Sequence, residues 1–274
     1  MSPGAAAGPD DPDVAQPVLV ERRRGVLWMT LNRPQAANAL TPDQRNELIA
    51  LLEAASGDPT TRVVVLGAQG RHFCSGADLS GGTGGPPAVG DIARTLRTGS
   101  QRLIAAVLDC EKPVVAEVHG AAAGIGAHLA MACDFVVASQ DARLIEVFAR
   151  RGLVPDGGGT YLLPRLVGVA RAKEMMMLAD DIPAERAREL GLFTSVVPQA
   201  ELRATVEALA DRLASSPTRT LALCKWLINR SLESSREQCF ADEGMAQEQN
   251  MKTHDAQEGV AAFVQRRPPA FEGC

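Results

Sequence analysis

An α/β fold with a helical C-terminal section follows from three features of the sequence. Short β-branched apolar runs alternate with helix-period segments over roughly the first two hundred residues. Within them, residues 112–134 (KPVVAEVHGAAAGIGAHLAMACD) pass from a strand-like run, through small residues, into a helix-like run. After residue 200 the strand signals cease and only helical patterns remain. With 274 residues, 46% of them hydrophobic and 22% charged, the chain can bury a large core.

Each element has a local reason. Residues 1–16 combine Pro, Gly, Ala and Asp without periodicity and read as a disordered tail. Residues 17–20 and 26–31 read as strands of a hairpin with Gly25 in its turn. Thr41, Pro42 and Gln44 are suited to N-cap, first helical position and capping box, and Leu48, Leu51 and Leu52 give the helix an apolar stripe. Residues 62–66 (RVVVL) form a buried strand. A turn of small residues, Cys74-Ser75-Gly76-Ala77-Asp78, follows. The Gly/Pro segment 80–89 reads equally well as a mobile lid and as a surface insertion.

Ile92, Leu96, Leu103, Ile104, Val107 and Leu108 predict one helix with a single apolar face. A strand over 113–118 then breaks at Gly120 to Gly126, and a helix resumes at His128. Strands are expected at 135–138, 144–148 and 193–197, a tight glycine turn at 152–159, and helices at 162–167, 170–178 and 183–190. Helices at 202–213, 218–232, 235–253 and 256–265 complete the chain. The domain reading is therefore a tail (1–16), an α/β core (17–200) and a helical section (201–274).

A net charge of −5 argues against a nucleic-acid partner. The six cysteines show no C-x-x-C spacing and H-E-x-x-H is absent, so no metal site is expected; Cys133 and Cys224 read as small core residues. No charged-then-apolar leader and no membrane-length apolar run is present, so the expectation is a cytoplasmic protein without a membrane partner.

GAAAGIG lies between a strand and a helix, with Glu146 about where a ribose-binding acid would fall. A dinucleotide motif usually opens its domain, however, and here Leu129 breaks the last position of G-x-G-x-x-G. The single tyrosine, Tyr161, has Arg165 rather than Lys four residues on. Ser75 stands outside a G-x-S-x-G elbow, and Cys74 reads as packing. What the two small-residue turns do offer is backbone N–H groups, with a helix start that favours an anion or a developing oxyanion.

LNRPQAANAL (31–40), GRHFCSGADL (70–79), KPVVAEVHGAAAGIGAHLAMACD (112–134) and GLVPDGGGTYLLPRLVG (152–168) occur here in the order found in the enoyl-CoA hydratase/isomerase, or crotonase, family, which the chain resembles from about Val18 to its C-terminus. The resemblance implies a crotonase-like spiral of strand-strand-helix turns and a C-terminal helical section that builds homotrimers, often paired as dimers of trimers. It implies acyl-CoA as substrate, with coenzyme A carried on the thioester and no separate cofactor. It places the two oxyanion amides on Ala77 and Ile125, with Ser75 and Gly124 beside them. Gln35, Ala37, Asp78 and Leu79, together with Ala77, match positions that contact CoA in that family.

The departures bear on the chemistry. Hydratases of the family carry two glutamates that hold a water; the matching positions here are His128 and Phe148. Phe148 moves no proton. His128 is open to an acid–base or a structural role. Asp156, in the VPDGG turn, matches the acid of certain enoyl- and dienoyl-CoA isomerases and of a dehalogenase, and it also suits a turn cap. Glu146 is a second candidate if its strand turns it inward. The leading expectation is an isomerase-type proton shuttle on Asp156. The alternatives are hydration of a 2-enoyl-CoA with His128 or Glu146 orienting water, and a scaffold that binds CoA thioesters without turnover.

Overall fold

Arg24 and Gly25, both at positive φ (50° and 75°), turn β1 (Val18–Arg23) into β2 (Val26–Leu31). Two left-handed residues in a two-residue loop match the right-handed twist of the strands they join. The structure, a computed structural model, describes residues 16–80 and 88–274. Most of the expected tail and most of segment 80–89 therefore lie outside the described residues.

From the hairpin the main sheet continues in parallel through β3 (Val63–Ala68), β4 (Val114–Val118), β6 (Phe135–Ser139) and β9 (Ser195–Val197). A second sheet joins β5 (Ala121–Ala123), β7 (Arg143–Ile145) and β8 (Asp181–Pro183). Side chains alternate across the main sheet, as a period of two requires. Leu27, Met29, Leu31, Val64, Leu66, Val114 and Ala116 enter one large apolar cluster. Val26, Trp28, Val63, Val65, Val115 and Val137 enter another, closed by Leu202, Val206 and Ala210 of α8 (Gln199–Ala214). Burial on both faces explains why β3 reads as a continuous apolar run.

The large cluster packs the sheet against α1 (Pro42–Gly57), α3 (Ser100–Asp109) and α4 (Ile125–Ala132). Helix α1 begins with the expected capping box: the Gln44 amide donates to Thr41 Oγ1 and the Thr41 amide donates to Gln44 Oε1, each at 3.2 Å. The single helix expected over 92–108 is two, α2 (Asp91–Thr98) and α3, because Gly99 leaves helical geometry at φ −111° and ψ −95°. Ile92 is exposed as a result and belongs to no core face.

Helices α5 (Gly159–Val167), α6 (Val169–Leu178) and α7 (Ala184–Glu189) bring the chain back to β9. Helices α9 (Thr218–Ser231), α10 (Arg236–Asn250) and α11 (His254–Gln265) follow α8. Cys133 is buried as expected, whereas Cys224 on α9 is exposed, which corrects its reading as a core residue: α9 hides little of its surface against the rest of the chain.

Candidate active site

Two turns of small residues are locked together by main-chain bonds. The Cys74 amide donates to the Ala121 carbonyl (3.1 Å), and the Ala123 amide donates to the Cys74 carbonyl (2.8 Å). Gly126, in the first turn of α4, lies flat on this pair: a Cβ there would sit 2.4 Å from the Cys74 carbonyl oxygen. The chain between 74 and 78 is also tied to Leu40, whose amide donates to the Gly76 carbonyl (2.8 Å) and whose carbonyl accepts from Asp78 (3.0 Å). In such a parallel bridge the flanking residues make both bonds, so the N–H of Ala77 is spared.

Ile125 is the first residue of α4, and its amide is one that a helix leaves without an intrahelical acceptor. Among the described residues neither the Ala77 nor the Ile125 N–H donates to a protein acceptor. Both residues line one cleft, together with Ser75, Leu79, Gly124, Phe148 and Asp156. Two unspent amides and a carboxylate thus share a largely apolar opening. The Cys74 thiol beneath is fully buried and pushed up to about 12, which removes it as a nucleophile at neutral pH.

His128 and Glu146 are engaged with each other. The His128 ring is wholly buried, and its Nε2 stands 3.1 Å and 3.2 Å from the two oxygens of Glu146, itself buried. A carboxylate only accepts, so Nε2–H donates to it. Phe148 stacks on the same ring, with centroids 5.5 Å apart and planes 13° from parallel. Gly159 closes the other side, since a Cβ there would fall 2.2 Å from His128 Nε2. The strand expected over 144–148 ends at Ile145, and Phe148 has helical angles before a 3-10 turn, Ala149–Arg151. Burial nevertheless keeps alternating past the end of β7, with Leu144, Glu146 and Phe148 turned inward, so Glu146 shares the inner face as strand alternation allows.

Asp156 is half-buried at the cleft, in the turn carrying Gly157 and Gly158 at positive φ. Burial pushes its carboxyl up, while the charges of His128 and Arg45 pull it back down. Arg45, on α1, went unnoticed in the sequence because no motif marks a surface-type residue of an amphipathic helix. Its Nε is buried, as is the Ser100 hydroxyl at the start of α3, and neither has a hydrogen-bond partner among the described residues. Val147, Arg151 and Leu153 also line the cleft, and no motif in the sequence marks them.

The remaining expected contacts lie around this opening. The Asp78 carboxylate is bonded by Ser80 and by Arg33 (2.8 Å), which hold it down to about 2. Gln35 is exposed and Ala37, at φ 47°, accepts the Ser75 amide on its carbonyl; neither forms the cleft wall.

The enoyl-CoA hydratase/isomerase family model matches residues 21–274. The chain belongs to the enoyl-CoA hydratase/isomerase family. A Rhodobacter capsulatus protein named "Probable enoyl-CoA hydratase" is 41% identical, with 93% of this chain and 98% of that protein covered. The Escherichia coli 1,2-epoxyphenylacetyl-CoA isomerase is 36% identical, with the same coverage of 93% and 98%. An enoyl-CoA hydratase crystal structure from Mycobacterium smegmatis superposes with a TM-score of 0.88 at 34% identity, covering 94% of this chain and 99% of that one. The crotonase-type fold and an enzymatic role in this family follow. No helix among the described residues is long and apolar enough to cross a membrane.

Proposed function

We propose that this family member is an enoyl-CoA isomerase-type proton shuttle in which Asp156 moves the proton. The observation that carries the reading is the company Asp156 keeps. It is the carboxylate on the cleft that Ala77 and Ile125 share, whereas Glu146 is spent on His128 in the core and Phe148, which the resemblance matches to a water-holding acid of the hydratases, moves no proton. Asp156 takes a proton from C2 or C4 of an enoyl thioester and returns it at the other carbon. The electron pair passes meanwhile into the thioester carbonyl, whose oxygen receives the Ala77 and Ile125 N–H groups. Each such donor is worth about 3–4 kcal/mol of barrier. Desolvation strengthens a carboxylate as a base, as this role needs. The chemistry uses no cofactor beyond the CoA of the substrate.

Hydration is the second reading, favoured by the buried His128–Glu146 pair lying against the Asp156 turn and by the name of the Rhodobacter capsulatus relative. The Escherichia coli relative is named an isomerase of an epoxide thioester, which supports isomerisation of a CoA thioester in general and not double-bond migration in particular. For assembly we propose a homotrimer or a dimer of trimers. Exposed apolar side chains on the last helices, among them Trp226, Phe240 and Phe263, supply surface for it.

The test is turnover of 3-enoyl-CoA and 2-enoyl-CoA thioesters by the native chain and by Asp156→Asn. Loss of double-bond migration by about 10²–10⁴-fold, with thioester binding kept, is expected. Water addition surviving in Asp156→Asn and lost in Glu146→Gln would replace this reading with hydration. Thioester binding without turnover of either substrate would replace it with a scaffold.

A further inference from the structure

We propose that His254, Glu272 and Cys274 form a site for a divalent transition-metal ion of the zinc class, which staples the C-terminal tail to the start of α11. The three offer one imidazole nitrogen, one carboxylate oxygen and one thiol sulfur, all within 4.8 Å of one another. That mixed donor set suits a borderline-soft ion and not a hard one such as Mg²⁺. Bonds of about 2.0–2.3 Å in a tetrahedral site put ligand atoms roughly 3.3–3.8 Å apart. The three side chains are exposed, so small rotations of each close the remaining gap without moving packed structure.

The main chain holds these residues in place already. The buried Asp255 carboxylate accepts the amides of Glu272 and Gly273, both at 2.7 Å, and the Asp255 amide donates to the Cys274 carbonyl (3.1 Å). Upstream, the Phe271 carbonyl accepts from Arg62 (3.2 Å) and the Ala270 amide donates to Glu258 (2.8 Å). The tail is thus laid along α11 in a fixed register, and the entropic cost of gathering ligands eighteen to twenty positions apart is largely met by the fold. Asp255 Oδ1 also stands 3.4 Å from His254 Nδ1. A neighbouring carboxylate of this kind restricts how the imidazole turns. Coordination sends the thiol proton to solvent and changes no oxidation state. The wide spacing explains why no short ligand motif in the sequence marks it.

The full-length chain, stripped with chelator and dialysed, is titrated with Co²⁺ and then with Zn²⁺. One Co²⁺ per chain with a thiolate-to-cobalt charge-transfer band, displaced by Zn²⁺, is the expected result, and Zn²⁺ raises the melting temperature. Cys274→Ser abolishes the band and weakens binding by at least about tenfold, and His254→Ala weakens it to a similar degree. Cys224→Ser and Cys239→Ser, the controls at the other accessible thiols, change neither. Binding without the band, an unchanged titration in Cys274→Ser, or no saturable binding by the native chain overturns the site.

Discussion

A carboxylate that works as a base must be ionised yet poorly solvated, and the residues around Asp156 set that balance. Burial raises its affinity for a proton, and the charges of His128 and then Arg45 oppose the rise. Replacing Arg45 with Met removes one of the two opposing charges, so the Asp156 carboxyl moves further up. Because the base acts deprotonated, the acid limb of kcat/KM shifts to higher pH in Arg45→Met, while the plateau rate changes little; a pH–rate profile measures both. The same imbalance has a consequence for stability. With its folded pKa above the unfolded one, Asp156 binds more protons folded than unfolded, so its contribution worsens as pH rises through that window. Asp156→Asn is therefore expected to melt higher than the native chain at neutral pH. The advantage fades below the ordinary carboxylate range, where both states are protonated. Melting curves at several pH values read this directly.

At the scale of elements, the oxyanion geometry depends on how closely α4 seats on the Cys74–Ala123 pairing. Gly126→Ala puts a carbon 2.4 Å from the Cys74 carbonyl oxygen and 2.7–2.8 Å from its Cβ and Sγ, and the backbone oxygen gives way only if the two turns separate. A loss of about 10²–10³-fold in kcat is expected, the worth of one donor, with about 1–3 kcal/mol of stability. Steady-state kinetics beside denaturant melts distinguish the two effects. These turns were legible in the sequence because small residues between a strand and a helix have few other uses. The capped start of α1 and the parallel strands were legible for similar local reasons. Three features were not. Gly99 sits inside a run whose apolar spacing continues through it, so only packing reveals the break between α2 and α3. The partnership of His128 with Glu146 joins residues eighteen positions apart, and alternation gives the face of Glu146 but not its partner. Cys224 follows helical spacing, but the pattern cannot say whether anything covers that face of α9.

At the scale of the molecule, a single lysine on α9 ties that otherwise loosely covered helix to the elements that frame the site. Lys225, on α9, has a nearly buried side chain whose ammonium donates to Asp134 Oδ2 (2.8 Å) and to the Val107 carbonyl at the end of α3 (2.9 Å). Asp134 follows directly after α4 and also accepts the Val114 amide at the start of β4 (2.7 Å). One ion pair therefore joins α9, α3, β4 and the helix whose first amide faces the cleft. Burial pushes the Asp134 carboxyl up and Lys225 is the strongest force bringing it down. Lys225→Met leaves a carboxylate four-fifths buried without its counter-charge. A loss of about 2–3 kcal/mol is expected, between the values for a buried and a surface pair. For a chain of this size that lowers the melting temperature by roughly 4–12 °C at neutral pH. The sign of its pH dependence is fixed. Without Lys225 the folded pKa of Asp134 rises further above the unfolded one, so the penalty is full above the folded value and is relieved as Asp134 takes up a proton on acidification. Adding Asp134→Asn removes the stranded charge while keeping an acceptor for the Val114 amide, so the double variant should recover most of the loss. Equal destabilisation of the single and double variants would show that the clamp works through packing of the lysine stem and not through charge.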